Sequence, residues 1–136
     1  MEIKRKKKAL ADKTALEVAT ILCETALDKK AEDVVLLDVQ KISGFTDYFL
    51  IMNGRSTRHV QGLASALDQK MSRKRLTTTK AEGLEEGHWV LLDFDDVIVH
   101  IFYYEERRVY DLEGLWHDAP RVDLASLIKK QEAPTP

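Results

Sequence analysis

Apolar side chains recur at helical spacing in two segments of the chain. In the first segment, the shared face is formed by Ala15, Val18, Ala19, Leu22 and Ala26. In the second, it is formed by Val60, Leu63, Ala64, Leu67 and Met71. Thr14 and Glu17 make a capping-box pattern before the first segment, and Ser56 can cap the second. Both segments are therefore predicted to be amphipathic helices.

Short apolar runs rich in β-branched residues predict strands. Residues 34–39 and 48–52 are apolar almost throughout, which is typical of central strands buried on both faces. Residues 89–92 and 97–102 flank a short acidic turn, a pattern that predicts a β-hairpin. A weak strand is predicted over residues 76–79.

The last helical pattern covers residues 105–115, where Val109, Leu112 and either Leu115 or Trp116 are expected to pack together. The predicted order α-β-β-α-β-β-β-α offers few parallel crossovers. We therefore predict a single α+β domain, in which a mixed β-sheet of about five strands packs against helices.

The length and the charge of the chain limit the kinds of function that it can have. A chain of 136 residues has the length of one ordinary domain. Because 44% of its residues are hydrophobic and 32% are charged, its composition excludes a disordered or a fibrous protein. The net charge of −2 hides an asymmetry, because residues 34–81 carry +5 and residues 82–123 carry −9. Such asymmetry favours macromolecular partners over small-molecule chemistry.

Several features of other protein classes are missing from the sequence. Cys23 is the single cysteine, and its place in a helical apolar face predicts a buried small hydrophobe. No apolar run approaches the ~20 residues that span a membrane, and no signal-peptide pattern follows the basic start. We expect no membrane contact and a cytoplasmic protein.

A metal-dependent enzyme is the alternative function. Asp93, Asp95 and Asp96 could hold a divalent cation, and a nucleotidyltransferase or RNA-modifying enzyme would use Asp93 and Asp95. A nucleotidyltransferase, however, needs serine directly after glycine, and here one residue separates Gly54 from Ser56. Because a polar β-turn explains the acidic residues more simply, we expect no metal, no cofactor and no catalytic residue.

Histidines and basic residues leave further alternatives open. His100 lies mid-strand among apolar neighbours, where a hydrogen-bonded core or face-lining role is favoured over metal or general-base chemistry. Basic residues along the second helix could follow a phosphate backbone or form a solvated face. They are Arg55, Arg58, Lys70, Arg73, Lys74 and Arg75. Aromatic residues that would stack on RNA bases are missing from this stretch.

Trp89 is the strongest candidate for an interface anchor. By strand alternation it shares a face with Leu91 and Asp93, while Val90 and Leu92 point the other way. If helices leave the first of these faces open, Trp89 is an aromatic anchor with an acidic rim, as in protein interfaces. The alternative is a core tryptophan.

Five runs of residues carry a family resemblance. The first reads Val-Gln-Lys-Ile-Ser-Gly-Phe-Thr-Asp-Tyr-Phe at residues 39–49, and the second reads Gly-Arg-Ser-Thr-Arg-His-Val at residues 54–60. The others cover residues 83–93, 96–102 and 110–116. Together, and in this order, they are similar to the motifs of the Iojap family, the ribosomal silencing factors (RsfS).

The resemblance implies a non-enzymatic translation factor. Such a factor binds the large ribosomal subunit through its universal protein numbered fourteen, with minor rRNA contact, and sterically blocks joining of the small subunit. The resemblance also implies a nucleotidyltransferase-like core without the catalytic motif, and homodimers. The expected domain covers residues 14–118, between a flexible basic arm at 1–13 and a C-terminal extension with a frayed tail at 119–136.

The partner-binding residues are assigned partly from these motif positions. Trp89 is the expected anchor. The expected lining and rim residues are Leu92, Asp95, Asp96, His100, Tyr110 and Asp111.

Overall fold

The computed structural model describes residues 14–73 and 80–126. The predicted arm at 1–13, the weak strand at 76–79, Lys74, Arg75 and the tail beyond residue 126 lie outside the described residues. The elements are α1 (Ala15–Asp28), β1 (Glu32–Asp38), β2 (Tyr48–Gly54), α2 (Thr57–Arg73), β3 (Lys80–Glu82), β4 (Trp89–Asp93), β5 (Val97–Tyr103), α3 (Tyr104–Tyr110) and α4 (Leu112–Leu115).

Both long helices begin where their sequence caps predict. At α1, the amide of Glu17 donates to Thr14 Oγ1 over 3.1 Å, and the amide of Thr14 donates to Glu17 Oε1 over 2.9 Å. At α2, the amide of His59 donates to Ser56 Oγ over 3.0 Å. These bonds satisfy amides that have no partner within the helix, so the caps fix where each helix begins.

The sheet is mixed and has the strand order β1-β2-β5-β4-β3. The central strands β2 and β5 are parallel to each other, and the remaining neighbours are antiparallel. Every residue of β2 is buried, as the apolar run predicts. The α+β class with a five-stranded mixed sheet and packed helices is therefore confirmed. The nucleotidyltransferase-like character of the core stays a prediction.

The prediction of a central position for residues 34–39 is wrong, because β1 lies at one edge of the sheet. The chain after Ala119 runs along the outer edge of β1 and helps to bury its apolar residues. The amide of Asp38 donates to Pro120 O over 2.8 Å, and the amide of Val122 donates to Leu36 O over 2.9 Å. An apolar run indicates that both faces of a strand are buried, but it does not indicate whether the strand has one neighbouring strand or two.

The two faces of the sheet carry separate apolar clusters. The helix-covered face packs against α1 and α2, and includes Leu50, Val90 and Ile101. Cys23 of α1 belongs to this cluster, and burial raises the pKa of its thiol to about 12. The second face, opposite these helices, includes Phe49 and Phe102 and is partly covered by α3, α4 and the chain after them.

The single helix predicted over residues 105–115 is wrong in detail. Asp111 adopts φ +40° and divides the segment into α3 and α4. As a result, Leu112 and Trp116 pack on the second face, whereas Val109 and Leu115 are 75% and 73% exposed. The predicted packing of Val109 fails because the left-handed residue changes the direction of the chain.

Candidate functional site

Trp89 begins β4 and lies on the second face. It is paired with Phe102 of β5, and Leu91 is paired with His100. Residues directly opposite each other in antiparallel strands share a face, so the four side chains lie together. Trp89 is half-buried, so it is neither a fully buried core residue nor a freely exposed one.

The indole of Trp89 is held by hydrogen bonding and ring packing. Its Nε1 donates to Nδ1 of His100 over 3.1 Å. The Trp89 ring stacks on Phe102 with 5.0 Å between centroids and contacts the ring of Tyr110 at 4.5 Å. These contacts fix the ring in one orientation before any partner arrives, which lowers the entropy lost on binding.

His100 lies next to the indole N–H of Trp89 and is 5% exposed. Burial lowers the pKa of its imidazole to about 4, so the ring is neutral near pH 7. Its Nδ1 accepts from Trp89, and its Nε2 is buried with no hydrogen-bond partner among the described residues. The geometry agrees with the favoured interpretation from sequence, a face-lining histidine with a hydrogen bond.

Tyr110 and Asp111 stand beside the indole at the end of α3. Tyr110 is 48% exposed, and Asp111 is exposed next to it. We call Trp89, His100 and Tyr110, with the buried Phe102 under them, the aromatic surface. An exposed tyrosine beside a half-buried tryptophan, with a carboxylate at the rim, is an arrangement suited to protein recognition.

Arg107, which the sequence interpretation missed, holds the segment with Tyr110 and Asp111 in place. Its guanidinium donates from Nη1 to Asn53 Oδ1 over 2.8 Å and from Nη2 to Glu113 Oε2 over 2.8 Å. The Arg107 side chain is 11% exposed, and its bond to Glu113 holds the pKa of that carboxyl below its usual value. The pair is six residues apart across the turn at Asp111, so no helical spacing rule indicates it.

Asp95 and Asp96 follow the other end of β4, in the turn that connects it to β5. With Asp93 they form what we call the acidic hairpin. The amide of Asp95 donates to Asp93 Oδ1 over 2.8 Å, and Asp95 has φ +77°. In residues 14–73 and 80–126, no group of three histidine, cysteine, aspartate or glutamate side chains is arranged to hold a metal ion.

Leu92 is separated from the other predicted partner-binding residues. It lies on the helix-covered face and is 1% exposed, within the cluster of α1 and α2. Period-two alternation already puts Leu92 opposite Trp89, so the structure places it in the core and not on the aromatic surface.

Further aromatic residues of the second face were missed. Phe49 packs edge-on against His100 at 5.3 Å and against Trp116 at 5.0 Å. Phe45 extends this group of rings: it is 63% exposed, and the centroid of its ring lies 6.3 Å from that of Phe49. The period-two pattern of β2 could have assigned Phe49 to one face, but the pairing of β2 with β5 is a tertiary fact that sequence periodicity does not contain.

The basic residues of α2 lie away from the aromatic surface, because α2 covers the opposite face of the sheet. Arg58 and Arg73 are exposed, and Arg55 before the helix donates from Nε to Glu32 Oε2 over 2.8 Å. Within the described part of the chain, no helix is long and apolar enough to cross a membrane.

Known proteins are similar to this chain in sequence and in fold. A family model described as "Ribosomal silencing factor during starvation" (RsfS) matches residues 12–136. Ribosomal silencing factor RsfS of Bacillus subtilis (strain 168) is 43% identical over 112 residues, 82% of this chain and 92% of that protein. RsfS of Halalkalibacterium halodurans is 45% identical over 101 residues, 74% of this chain and 86% of that protein.

A solved structure is also similar to this chain. The crystal structure of a Chromobacterium violaceum protein matches with a TM-score of 0.75 at 31% identity, and the match covers 77% of this chain and 88% of the other. Since the family model spans residues 12–136 and relatives exceed 40% identity, the chain belongs to the RsfS family of ribosomal silencing factors.

Proposed function

We propose that this chain silences ribosomes by binding the large subunit through its universal protein numbered fourteen. The bound factor sterically blocks joining of the small subunit and thereby represses translation. No catalytic step is required, because occupancy alone prevents the encounter. Family membership supports the ribosomal role, and the site supports a protein partner.

The aromatic surface is the observation that carries this proposal. The Trp89 ring is fixed by His100 and Phe102 and contacts the exposed Tyr110. Aromatic residues held rigidly at the centre of a surface contribute most of the binding free energy in protein interfaces. We assign Trp89 as the anchor, with Tyr110 and Asp111 at its rim.

Charge favours a basic protein over RNA as the main contact. Residues 82–123, which contain Trp89, Tyr110 and the acidic hairpin, carry a net charge of −9. Such a segment is attracted to a basic ribosomal protein and repelled by rRNA phosphates, so rRNA contact is minor. Asp95 and Asp96 act in this proposal as long-range rim charges.

The remaining assignments belong to the same proposal. Binding resides in the domain at 14–118, and the arm at 1–13 and the extension at 119–136 lie outside it. The factor acts in the cytoplasm, and a homodimer is its resting form. Dilution in analytical ultracentrifugation would show a monomer–dimer equilibrium; a single monomeric species at every concentration contradicts the dimer.

Sucrose-gradient sedimentation of purified subunits tests the main claim. Wild-type protein should co-sediment with large subunits and lower the yield of joined ribosomes. Trp89→Ala should weaken binding roughly 30-fold, because truncating a central anchor costs about 2 kcal/mol. Leu27→Ala, which changes an apolar side chain 40% exposed on α1, serves as the matched control.

Three results would each contradict a different part of the proposal. If wild-type protein does not co-sediment with large subunits, the docking claim is wrong. If Trp89→Ala blocks joining as well as wild type, the anchor assignment is wrong. Calorimetry with the isolated universal protein fourteen tests the partner, and no heat of binding with that protein removes it.

A further inference from the structure

The outer side of α3 and α4 exposes apolar side chains beyond those of the aromatic surface. Four of the eight large hydrophobic side chains that are exposed in residues 14–73 and 80–126 fall within residues 104–115. They are Tyr104, Val109, Tyr110 and Leu115, and Val109 and Leu115 are the two most exposed of the eight. Single exposed apolar residues are common on protein surfaces, but a concentration of them in one segment indicates an interaction site.

The fold itself does not use the exposed side of this segment. Of the described residues that belong to α3 or α4, none is buried. The segment packs on the second face through Leu112 and Trp116, and the amide of Trp116 donates to Leu112 O over 3.2 Å. The left-handed conformation of Asp111 separates α3 from α4. Val109 and Leu115 therefore contribute little to the packing of the core.

Hydrogen bonds hold the segment in one shape without a partner. The amide of Asp111 donates to Arg107 O over 2.9 Å, and the amide of Gly114 donates to Asp111 O over 3.0 Å. The guanidinium of Arg107 donates to Asn53 Oδ1 and to Glu113 Oε2, so it ties both short helices to β2. A surface that is already ordered loses less conformational entropy when it binds.

The exposed aliphatic side chains border the aromatic surface. Val109 directly precedes Tyr110, whose ring contacts that of Trp89 at 4.5 Å. Leu115 directly precedes Trp116, which packs on the second face. A partner seated on Trp89 and Tyr110 would therefore lie within reach of both aliphatic side chains.

A carboxylate precedes each aliphatic side chain by one helical turn. Glu105 is four residues before Val109 in α3. Asp111 is four residues before Leu115, whose amide donates to Asp111 O over 3.4 Å. Residues with this spacing lie on the same side of a helix, and all four residues are exposed. The surface that fits them combines aliphatic side chains with lysine or arginine.

We infer that Val109 and Leu115 form an apolar flank of the docking surface, which receives aliphatic side chains of the basic protein partner. In the complex, both side chains are removed from water, which favours binding in proportion to the apolar area that is covered. Glu105 and Asp111 pair with basic groups at the rim. The inference rests on the proposed function for the identity of the partner, and it adds contacts that the aromatic surface does not contain.

The same features argue against RNA and against a second copy of this chain. Aliphatic side chains offer no ring on which a base can stack, and the carboxylates repel phosphates. In a symmetric contact between two copies the same patch meets itself, so Glu105 and Asp111 would meet further carboxylates. A basic protein avoids both penalties.

NMR titration of the ¹⁵N-labelled full-length chain tests the apolar flank without ribosomes. The probe is a short peptide that alternates lysine and leucine, and two control peptides replace either leucine by serine or lysine by glutamate. The probe should shift the amide signals of residues 105–116, and neither control should. Equal shifts with the serine peptide, or shifts confined to other residues, would overturn the inference, as would an oligouridine that shifts the same amides.

Substitutions on the apolar flank then test binding to large subunits. Val109→Ser and Leu115→Ser should each weaken co-sedimentation roughly fivefold, because less apolar surface is covered in the complex. Both variants should unfold at the same urea concentration as wild type, since exposed side chains contribute little to stability. Leu27→Ser makes the same change at an exposed leucine of α1, and this matched control should bind like wild type.

A charge variant tests the sign of the partner. Glu105→Gln should weaken binding to large subunits roughly threefold, because an exposed rim charge contributes modestly to affinity. Asp28→Asn removes an exposed carboxylate from α1 and should leave the affinity unchanged. Tighter binding by Glu105→Gln would show that the partner surface is acidic, which contradicts the inference.

The outcomes separate the apolar flank from the proposed function. If wild-type protein binds large subunits and both serine variants bind equally well, the flank is wrong and the function stands. If these variants lose self-association in analytical ultracentrifugation but keep their subunit affinity, the occupant is a second copy and the inference is overturned. If wild-type protein does not bind subunits, the proposed function fails, and the peptide titration still decides whether the flank receives basic aliphatic segments.

Discussion

The indole Nε1 of Trp89 donates a hydrogen bond to Nδ1 of His100, with 3.1 Å between the two nitrogens. Because Nδ1 accepts, the proton of the neutral imidazole resides on Nε2. The bond joins β4 to β5 on the second face and couples the proposed anchor to a buried titratable group. Protonation of His100 would remove the acceptor that holds the indole.

The stability of the protein should therefore depend on pH through His100. Burial lowers the pKa of the folded imidazole from 6.5 to about 4, so between these values the unfolded chain binds a proton that the folded chain does not. The free energy of unfolding is unaffected by this group above pH 6.5 and falls as pH drops toward 4. The total loss should be about 3 kcal/mol, measured by urea unfolding across this range.

Histidine-to-glutamine variants isolate that effect. His100→Gln keeps an acceptor for the indole but does not titrate, so its unfolding free energy should change less with pH than that of wild type. His117→Gln, whose side chain is 75% exposed, is the matched control and should keep the wild-type slope. Equal slopes in all three proteins would show that His100 does not carry the effect.

Leu92 should matter for folding and not for binding. The side chain is 1% exposed against α1 and α2, so Leu92→Ala should lower the free energy of unfolding by about 2–5 kcal/mol. The fraction that remains folded should bind large subunits with wild-type affinity, since the second face is intact. A weakened affinity of the folded protein, corrected for its population by circular dichroism, would show that Leu92 contributes to the interface.

The Arg107–Glu113 pair should stabilise the corner that carries Tyr110 and Asp111. Arg107→Lys loses the paired donors to Glu113 and the bond to Asn53, which should lower the free energy of unfolding by about 2 kcal/mol. The exposed neighbour provides the control, because Arg108→Lys should be nearly neutral. Chemical denaturation measures both.

The Arg107–Glu113 pair should also make the stability of the protein depend on pH. Arg107 lowers the pKa of Glu113, so the stabilisation is present above the ordinary glutamate pKa and is lost as pH falls through the lowered one. In Arg107→Lys this acid-range loss should shrink. A variant that keeps the full wild-type acid dependence would contradict the assignment of the shift to Arg107.

Gly83 should tolerate no side chain. It has φ +80°, and an added Cβ would overlap the backbone carbonyl oxygen of Trp89. Gly83→Ala should lower the free energy of unfolding by about 2 kcal/mol or more and displace the start of β4. Gly44→Ala is the control, because an added Cβ there has open space around it. Thermal unfolding that ranks the two variants equally would refute this expectation.

Helix positions were predictable from the sequence because their determinants are local. The capping box of Thr14 and Glu17 and the apolar face ending at Met71 depend on side chains within a few residues of each other. The hairpin of β4 and β5 was predictable for the same reason. The family motifs then indicated a ribosomal silencing factor, which the relatives confirm.

Positions in the sheet and contacts across it were not predictable in this way. An apolar run reads the same whether its strand is central, like β2, or at an edge, like β1. The division of residues 105–115 depends on the left-handed backbone at Asp111, and the clamp of Arg107 reaches Asn53, which is 54 residues away along the chain. Neither has a periodic signal.

The sequence by itself determined the helices, the hairpin, the separation of acidic from basic segments and the family. Only the tertiary structure decided that Trp89 lies half-buried between His100 and Tyr110, that Leu92 belongs to the opposite face, and that Phe45 is continuous with the aromatic residues. The physical reason is the range of the interactions. Caps, turns and periodicity act over a few residues, whereas the facing of strands and the packing of rings are settled when distant segments pair.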